Sequence, residues 1–264
     1  MLALRSPVRS FRLASPSKLT ASLRLAERFY ISDYVYAHRG LWSDTEATEN
    51  SHDAFMAATK SDLGIEFDVR PSADGIPIVF HDPVLDRMTH ETGFVADRPA
   101  DKLIGLLLKG GGAIPSLENL LQTWPPKTPL LCELKIDGAT DPVAFAATVS
   151  AALSSFPGPA AAMSFSAEAV AASPKSLMRG QLLPPLKAIS ANELETLLAS
   201  DVDYFACHYK DARAPQLQAA RAERPLIVWT VRSEQDCADL APITDAQIFE
   251  GFDPALAKRH ILNR

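Results

Sequence analysis

The chain has 264 residues, of which 47% are hydrophobic and 22% charged, a composition typical of a globular protein with ample core material. No apolar run approaches the roughly 18–20 residues that a transmembrane helix needs, so we expect no membrane-spanning segment. The net charge of -6 argues against a general nucleic-acid-binding role.

The charge is unevenly distributed along the chain. Residues 1–30 carry six basic side chains and one acidic one, a balance of +5, so the rest of the chain carries −11. Because charges fall every few residues, this segment lacks the apolar core of a secretory signal. We predict a basic N-terminal extension over residues 1–30, followed by one domain over residues 31–264. The extension could contact an anionic membrane surface weakly, serve as an organellar leader, or pack as a loosely ordered tail.

Cysteines are few and scattered. Cys132, Cys207 and Cys237 show neither the spacing of a disulfide framework nor that of a CxxC metal site. We expect three thiols that are buried or inert, in a reducing compartment. The predicted location is therefore cytoplasmic, with possible peripheral contact with a membrane.

Short apolar runs alternate with helical patterns along the chain, which is typical of βα units around a parallel sheet. Eight such units in about 230 residues predict a (β/α)₈ TIM barrel, although alternation alone leaves a doubly wound sheet open. The predicted strands are Tyr34–His38, Gly64–Val69, Pro129–Lys135, Ala160–Phe165, Leu177–Leu182, Val202–His208, Leu226–Val231 and Ala246–Glu250. The predicted helices include Ser51–Ser61, Ser116–Thr123, Pro142–Ser155, Asn192–Ala199 and Pro215–Glu223.

The segment from Asp68 to His81 breaks this alternation, because it is too short for a crossover helix. It contains Asp74-Gly75, a strong signal for a two-residue hairpin turn. We therefore predict a β-hairpin extension of the second strand in which Asp68 lies opposite His81. Since strand side chains alternate between faces, Glu66, Asp68 and His81 would then share one face.

Charged side chains gather at the carboxyl ends of the predicted strands, where (β/α)₈ enzymes place their sites. Three of them, Glu66, Asp68 and Glu133, are carboxylates that would repel one another unless they were protonated, paired or bound to a metal. A set of oxygen ligands suits Mg²⁺ or Ca²⁺ better than Zn²⁺. We therefore predict a site for one divalent cation.

Two histidines and two basic residues accompany this carboxylate set. His38 and His81 are free for proton transfer, one as a base and one as an acid. Arg39 and Lys135 supply positive charge suited to a phosphate group. Together these residues predict metal-assisted phosphoryl chemistry. Each feature alone has a plainer explanation, such as a structural histidine or a simple salt bridge.

The order of these motifs resembles the glycerophosphodiester phosphodiesterase family over roughly residues 35 to 254. The matching strings are Ala37-His38-Arg39-Gly40, Glu49-Asn50-Ser51, Ile65-Glu66-Phe67-Asp68-Val69, Asp74-Gly75, Phe80-His81-Asp82, Asp86-Arg87-Met88-Thr89, Gly93, Ile114-Pro115-Ser116-Leu117-Glu118, Glu133-Leu134-Lys135, Ser164-Phe165 and Trp229-Thr230-Val231.

The resemblance implies a TIM barrel that hydrolyses glycerophosphodiesters to sn-glycerol 3-phosphate and an alcohol. It implies His38 and His81 as the acid–base pair, phosphate contacts from Arg39 and Lys135, and a small insertion over Pro83–Ala113, before the third barrel strand. It also implies that Trp229 lines the substrate pocket and that Glu49 shapes the loop beside the metal. The ligands of the divalent metal would be Glu66, Asp68 and Glu133.

Two departures from the family pattern lie near the predicted mouth of the barrel. Arg232 stands where an Asn is common, and Glu250-Gly251 replaces a common Thr-Asp. Because of them, the resemblance does not identify the alcohol part of the substrate. The alternatives are a phospholipase D-like enzyme that acts on lysophospholipids and a catalytically silent phosphate-binding barrel.

Overall fold

The computed structural model describes residues 29–263, so all but the last two residues of the predicted N-terminal extension lie outside the described part. Within it, eight parallel strands close into a ring, and each is followed by a helix. After the second strand, β2, a ninth strand outside the ring pairs with it antiparallel before the helix begins. The strands are β1 (Tyr36–His38), β2 (Gly64–Pro71), β3 (Pro77–Val79), β4 (Leu130–Leu134), β5 (Ala160–Ser164), β6 (Met178–Leu182), β7 (Tyr204–His208), β8 (Leu226–Val231) and β9 (Ala246–Phe249).

The ring closes because β1 pairs with both β2 and β9, in parallel on each side. The predicted (β/α)₈ barrel is therefore confirmed, and the doubly wound alternative is excluded. All eight predicted barrel strands are present, with ends that differ by at most two residues from the predicted ones.

The helices follow the predicted pattern, and several begin at a residue whose side chain caps them. Ser51 accepts a hydrogen bond from the amide of Ala54, and Ser190 forms a reciprocal capping box with Glu193. The helices are α1 (His52–Lys60), α2 (Ala100–Leu103), α3 (Leu117–Thr123), α4 (Pro142–Ser155), α5 (Ala167–Ala172), α6 (Ala191–Leu198), α7 (Pro215–Arg221), α8 (Glu234–Leu240) and α9 (Pro254–Leu262).

Alternation along the strands divides the apolar side chains between two cores. Tyr36, Leu131, Tyr204 and Ile227 pack inside the barrel, and a larger cluster packs between the outer surface of the barrel and the helices. The three cysteines are free and buried, as predicted. Over residues 29–263, none of the helices is long and apolar enough to cross a membrane.

The predicted register of the hairpin is wrong by one residue. Asp68 lies opposite Phe80, whose amide donates to the Asp68 carbonyl at 3.0 Å, and not opposite His81. The amide of Gly75 donates to the carbonyl of Ser72 at 2.9 Å, and Gly75 has a φ of 79°. The loop is thus a three-residue turn with glycine in the left-handed region, which shifts the pairing by one position.

Beyond the hairpin, the predicted insertion forms a small apolar core of its own. Ile78 and Phe80 pack there against Leu85, Val95 and Leu103. Ile78 and Phe80 lie on the same face of the chain by alternation, and β3 itself ends at Val79. His81 therefore follows the end of the strand, where alternation no longer fixes the direction of its side chain.

Candidate active site

Strand alternation brings the three predicted metal ligands together inside the barrel. Glu66 and Asp68 on β2 and Glu133 on β4 point inward, while their neighbours along each strand pack outward against the helices. Their side chains are almost fully buried, and one carboxylate oxygen from each lies within 4.8 Å of the other two.

The charges of these carboxylates are unequally balanced. Burial, followed by repulsion from Asp68 and Glu133, raises the pKa of Glu66 well above its usual range. Burial also raises the pKa of Glu133, to about 7, against the attraction of Lys135. For Asp68, burial acts in the same direction, but Lys135 at 2.9 Å and Arg39 at 3.4 Å outweigh it and lower the pKa. Glu66 is thus the carboxylate whose charge is least compensated.

His38 lies at the carboxyl end of β1 with its two ring nitrogens in different environments. Its Nδ1 is hydrogen-bonded to Oε2 of Glu250, and its Nε2 lies 3.9 Å from Oε2 of Glu66. The other oxygen of Glu250 accepts a hydrogen bond from Nε of Arg232 at 2.6 Å. Burial lowers the pKa of His38, while the Glu250 carboxylate opposes this shift.

Glu250 itself is held in the charged form. Burial raises the pKa of this carboxyl, but the hydrogen bond from His38 and the charge of Arg232 outweigh burial, and the pKa falls below its usual value. Glu250 therefore contacts both Arg232 and one predicted catalytic residue, His38.

His81 has a similar arrangement on the other side of the site. Its Nδ1 lies 2.7 Å from Oδ1 of Asp82, and Arg87 binds both oxygens of Asp82 at 2.6 and 2.9 Å. Burial lowers the pKa of His81, and the nearby Asp68 carboxylate opposes this. Each predicted catalytic histidine is thus supported by a carboxylate that an arginine binds in turn.

Arg39 connects the three predicted metal ligands to the loop that follows β1. Its Nη1 donates to Glu49 at 2.8 Å, and Glu49 also accepts two hydrogen bonds from Arg87. Asn50 donates from Nδ2 to Asp68 at 2.9 Å, which fixes the orientation of that carboxylate. Glu49 therefore lies behind Arg39, and the structure does not place it among the residues lining the cavity.

A cavity of about 220 Å³ opens over these residues at the carboxyl end of the barrel. One wall is aromatic: the Trp229 ring meets Phe165 edge-to-face at 5.6 Å and His208 at 5.5 Å. The same cavity also carries the charged groups. The lining comprises His38, Arg39, Glu66, His81, Glu133, Lys135, Met163, Phe165, Leu182, His208, Trp229, Thr230, Arg232 and Ile248.

A larger cavity, of about 740 Å³, lies between the hairpin, the insertion and α4. It is lined mainly by apolar groups such as Phe94 and Phe145, and none of the predicted site residues contributes to it. Arg70, paired with Asp137 at 2.7 Å, stands between this cavity and His81, whose carbonyl it binds. The predicted site residues therefore surround the smaller cavity and not the larger one.

The charge of the whole network fits a divalent cation. Six carboxylates face four permanent cations in the connected ion pairs, which leaves two negative charges when every carboxyl is ionised and the histidines are neutral. The carboxylates are Glu49, Glu66, Asp68, Asp82, Glu133 and Glu250, and the cations are Arg39, Arg87, Lys135 and Arg232. Buried oxygen ligands with this imbalance are the donor set that Mg²⁺ and Ca²⁺ bind.

Four residues that the structure places here are not among the predicted site residues: Asn50, Asp82, Arg87 and Glu250. Glu250 carries the same signal as the predicted site residues, since it directly follows the strand β9 on the parity of Ile248, which points into the barrel. Asp82, Arg87 and Asn50 lie in loops, where alternation gives no direction.

The fold and site define a class of (β/α)₈ barrel in which buried carboxylates, two supported histidines and basic groups surround one small cavity. A family model for the glycerophosphoryl diester phosphodiesterase family matches residues 38–247. The chain belongs to this family.

Two curated relatives match over part of their length. The chain is 37% identical over 110 residues to YhdW of Bacillus subtilis, provisionally named a glycerophosphodiester phosphodiesterase, over 39% of this chain and 44% of that protein. It is 42% identical over 62 residues to bovine glycerophosphodiester phosphodiesterase 1, over 23% and 18% respectively. The matches thus span less than half the length of either relative.

The fold is shared with solved structures. An Oleispira antarctica phosphodiesterase, determined in complex with the product sn-glycerol-3-phosphate, superposes with a TM-score of 0.71 at 23% identity. The match covers 84% of this chain and 94% of that one.

Proposed function

We propose that the protein hydrolyses glycerophosphodiesters to sn-glycerol 3-phosphate and an alcohol. The observation that carries this proposal is the meeting of two carboxylate-supported histidines, a buried carboxylate cluster and two basic groups at one cavity. Family membership supports it, as does the product named for the Oleispira structure.

In this proposal, Glu66, Asp68 and Glu133 hold one divalent cation, Mg²⁺ or Ca²⁺. When bound, the cation would supply Lewis-acid stabilisation of the negative charge on the phosphoryl oxygens. The bound cation would also stabilise the ionised forms of Glu66 and Glu133, because it would balance the negative charge that burial leaves uncompensated on them.

Arg39 and Lys135 would contact the substrate phosphate. Both line the cavity with side chains that are about 15% exposed, and both are paired with carboxylates, Arg39 with Glu49 at 2.8 Å and Lys135 with Asp68 at 2.9 Å. Glu49 would act through Arg39 by fixing its guanidinium. Trp229 would contact the glycerol or alcohol part of the substrate from the aromatic wall.

The two histidines would share the proton transfers. One accepts the proton of the nucleophile as it attacks phosphorus, and the other donates a proton to the departing alkoxide. Water and the neighbouring glycerol hydroxyl are both suitable nucleophiles, the latter by way of a cyclic phosphate. In either route Asp82 and Glu250 keep the rings oriented while the proton moves at Nε2.

Release of glycerol 3-phosphate from several glycerophosphodiesters tests the proposal directly. We expect release with Mg²⁺ or Ca²⁺ and its loss after exhaustive chelation. His38→Ala and His81→Ala should each lower turnover by about 10² to 10⁴, while His90→Ala, at an exposed position of the insertion, should not. Turnover that survives chelation would contradict the metal site, and turnover in both histidine variants would contradict the acid–base pair.

A second substrate class is tested in the same assay. Phe165 is 39% exposed beside Trp229 at the cavity, and such an apolar rim suits a lysophospholipid. Preferential turnover of lysolipids would replace the proposed substrate with this one. Phosphate binding without turnover of either class would identify a silent barrel.

We also propose a cytoplasmic location, with weak contact between residues 1–30 and anionic membranes. The balance of +5 in that segment supports the contact. Sedimentation with anionic vesicles, compared between the full chain and a chain lacking residues 1–28, measures it. Equal sedimentation of the two would contradict the contact.

A further inference from the structure

We infer that Glu250, backed by Arg232, is a positioning residue that sets the ring orientation and the proton-bearing nitrogen of His38. The inference rests on the proposed function, in which His38 transfers a proton. It assigns a role to the two positions at which the chain departs from the family pattern.

The hydrogen-bond geometry fixes which nitrogen of His38 carries the proton. Ionised carboxylates only accept hydrogen bonds, so Nδ1 of a neutral His38 must be the donor to Glu250. The lone pair then lies on Nε2, which faces Glu66 and the cavity. A neutral histidine in this tautomer is ready to accept a proton at Nε2.

Arg232 completes the arrangement from the solvent side. Its Nε binds the Glu250 oxygen that His38 leaves free, at 2.6 Å, so both oxygens of the carboxylate have a donor. The Glu250 side chain is 10% exposed, whereas that of Arg232 is 59% exposed. Glu250 is therefore the enclosed member that contacts the histidine, and Arg232 restrains it from outside.

The pair is assembled by closure of the barrel. His38 ends β1 and Glu250 follows β9, and these two strands are hydrogen-bonded neighbours although 212 positions separate the residues. Alternation points both side chains inward, since Tyr36 and Ile248 on the same parity pack inside the barrel. The contact thus joins the last residue of β1 to the residue directly after β9.

The chain offers a matched control. Glu234 also binds a histidine and an arginine, with His260 Nε2 at 3.1 Å and Arg259 Nη2 at 2.8 Å. This second triad links α8 and α9 on the outer surface of the barrel. A Glu234→Gln substitution therefore breaks the same kind of contact without touching the cavity.

Kinetics of glycerophosphodiester hydrolysis, with saturating divalent cation, test the inference. We expect Glu250→Gln to lower kcat by about 100-fold, the lower end of what acid–base catalysis contributes, with KM nearly unchanged. Glu250→Asp should recover part of this loss because it keeps the carboxylate. Arg232→Gln should cost less than Glu250→Gln, and Glu234→Gln should match the wild type.

Two kinetic results would overturn the inference while leaving the proposed function in place. One is a Glu250→Gln enzyme as active as the Glu234→Gln control, although His38→Ala is inactive. The other is a loss confined to KM, which would assign Glu250 to substrate binding.

The tautomer itself is measured by ¹⁵N NMR of histidine-labelled protein at pH 8, with His38→Gln used to assign the signal. We expect the proton on Nδ1 in the wild type and a mixture of tautomers in Glu250→Gln. A proton on Nε2 of the wild-type ring would overturn the inference. Because this readout needs no turnover, it decides the inference even if no glycerophosphodiester is hydrolysed.

Discussion

At the scale of single residues, Gly180 shows how one position keeps the barrel interior filled. A Cβ atom there would lie 2.2 Å from two carbons of the Tyr204 ring, which lies across the inside of the barrel on the neighbouring strand. The Tyr204 ring is fully buried, so it has no space into which to move. Glycine is therefore required by packing at this position.

We expect Gly180→Ala to lower the free energy of unfolding by about 2 kcal/mol through overpacking. Urea unfolding measures this loss. Tyr204→Leu should be destabilising by itself, but the double variant should lose less than the sum of the two single losses, because the clash is gone. Strict additivity would contradict a direct contact between these positions.

Asp82 contributes to stability through its charge. Burial raises the pKa of this carboxyl, but hydrogen bonds from Arg87 and His81 outweigh burial and lower it to about 2. A lowered folded-state pKa means that the stabilisation is fully present above the unfolded value near 4 and is lost as pH falls toward 2.

Replacing Asp82 with Asn should therefore lower the free energy of unfolding at pH 7. It should also reduce the decrease in that free energy between pH 4 and pH 2. We expect a difference of about 1 kcal/mol, because the Arg87 side chain is 46% exposed and solvent screens the pair. Unfolding free energies at pH 7, 4 and 2 measure it. A difference between the two proteins that stays constant over this range would contradict the assignment.

At the scale of elements, the β2–β3 hairpin determines where His81 can reach. Its three-residue turn depends on Gly75, which has a φ of 79°, and a Cβ there would meet nothing within 4 Å. Any penalty for a side chain at this position is therefore a backbone penalty.

Gly75→Ala should destabilise the protein by about 1 kcal/mol, since the left-handed conformation costs residues with a Cβ about 1–2 kcal/mol. Gly75→Asn should cost clearly less, because Asn tolerates this conformation. Chemical denaturation compares the two variants. Equal losses would show that something other than the positive φ is responsible.

At the scale of the whole molecule, the site depends on closure of the ring. The metal-ligand cluster comes from β2 and β4, His38 from β1, and Glu250 from the turn after β9. The carboxyl ends of these strands meet only in the folded barrel. The unfolded chain therefore cannot present the same cation site.

A divalent cation should therefore stabilise the native state by mass action, by about 2.7 kcal/mol at a concentration 100 times its Kd. Thermal unfolding with increasing Mg²⁺ or Ca²⁺ measures this as a rise in Tm. The rise should disappear in Glu133→Gln and persist in Asp101→Asn, whose carboxylate is exposed. An equal rise in both variants would point to cation binding elsewhere.

The sequence alone determined the eight barrel strands, the five helices predicted from it and the identity of the charged groups at the strand ends. These features depend on local rules: side chains alternate every two residues, and parallel strands present their carboxyl ends at one edge. Glu66, Asp68 and Glu133 converge for this reason, as predicted.

Only the tertiary structure decided the closure of the ring, the hairpin register and the contact between His38 and Glu250. The register depends on whether a turn uses two or three residues, and both are compatible with Asp74-Gly75. The His38–Glu250 contact depends on which strands become neighbours when the ring closes. Local patterns do not carry that information, because the pairing joins residues 212 positions apart.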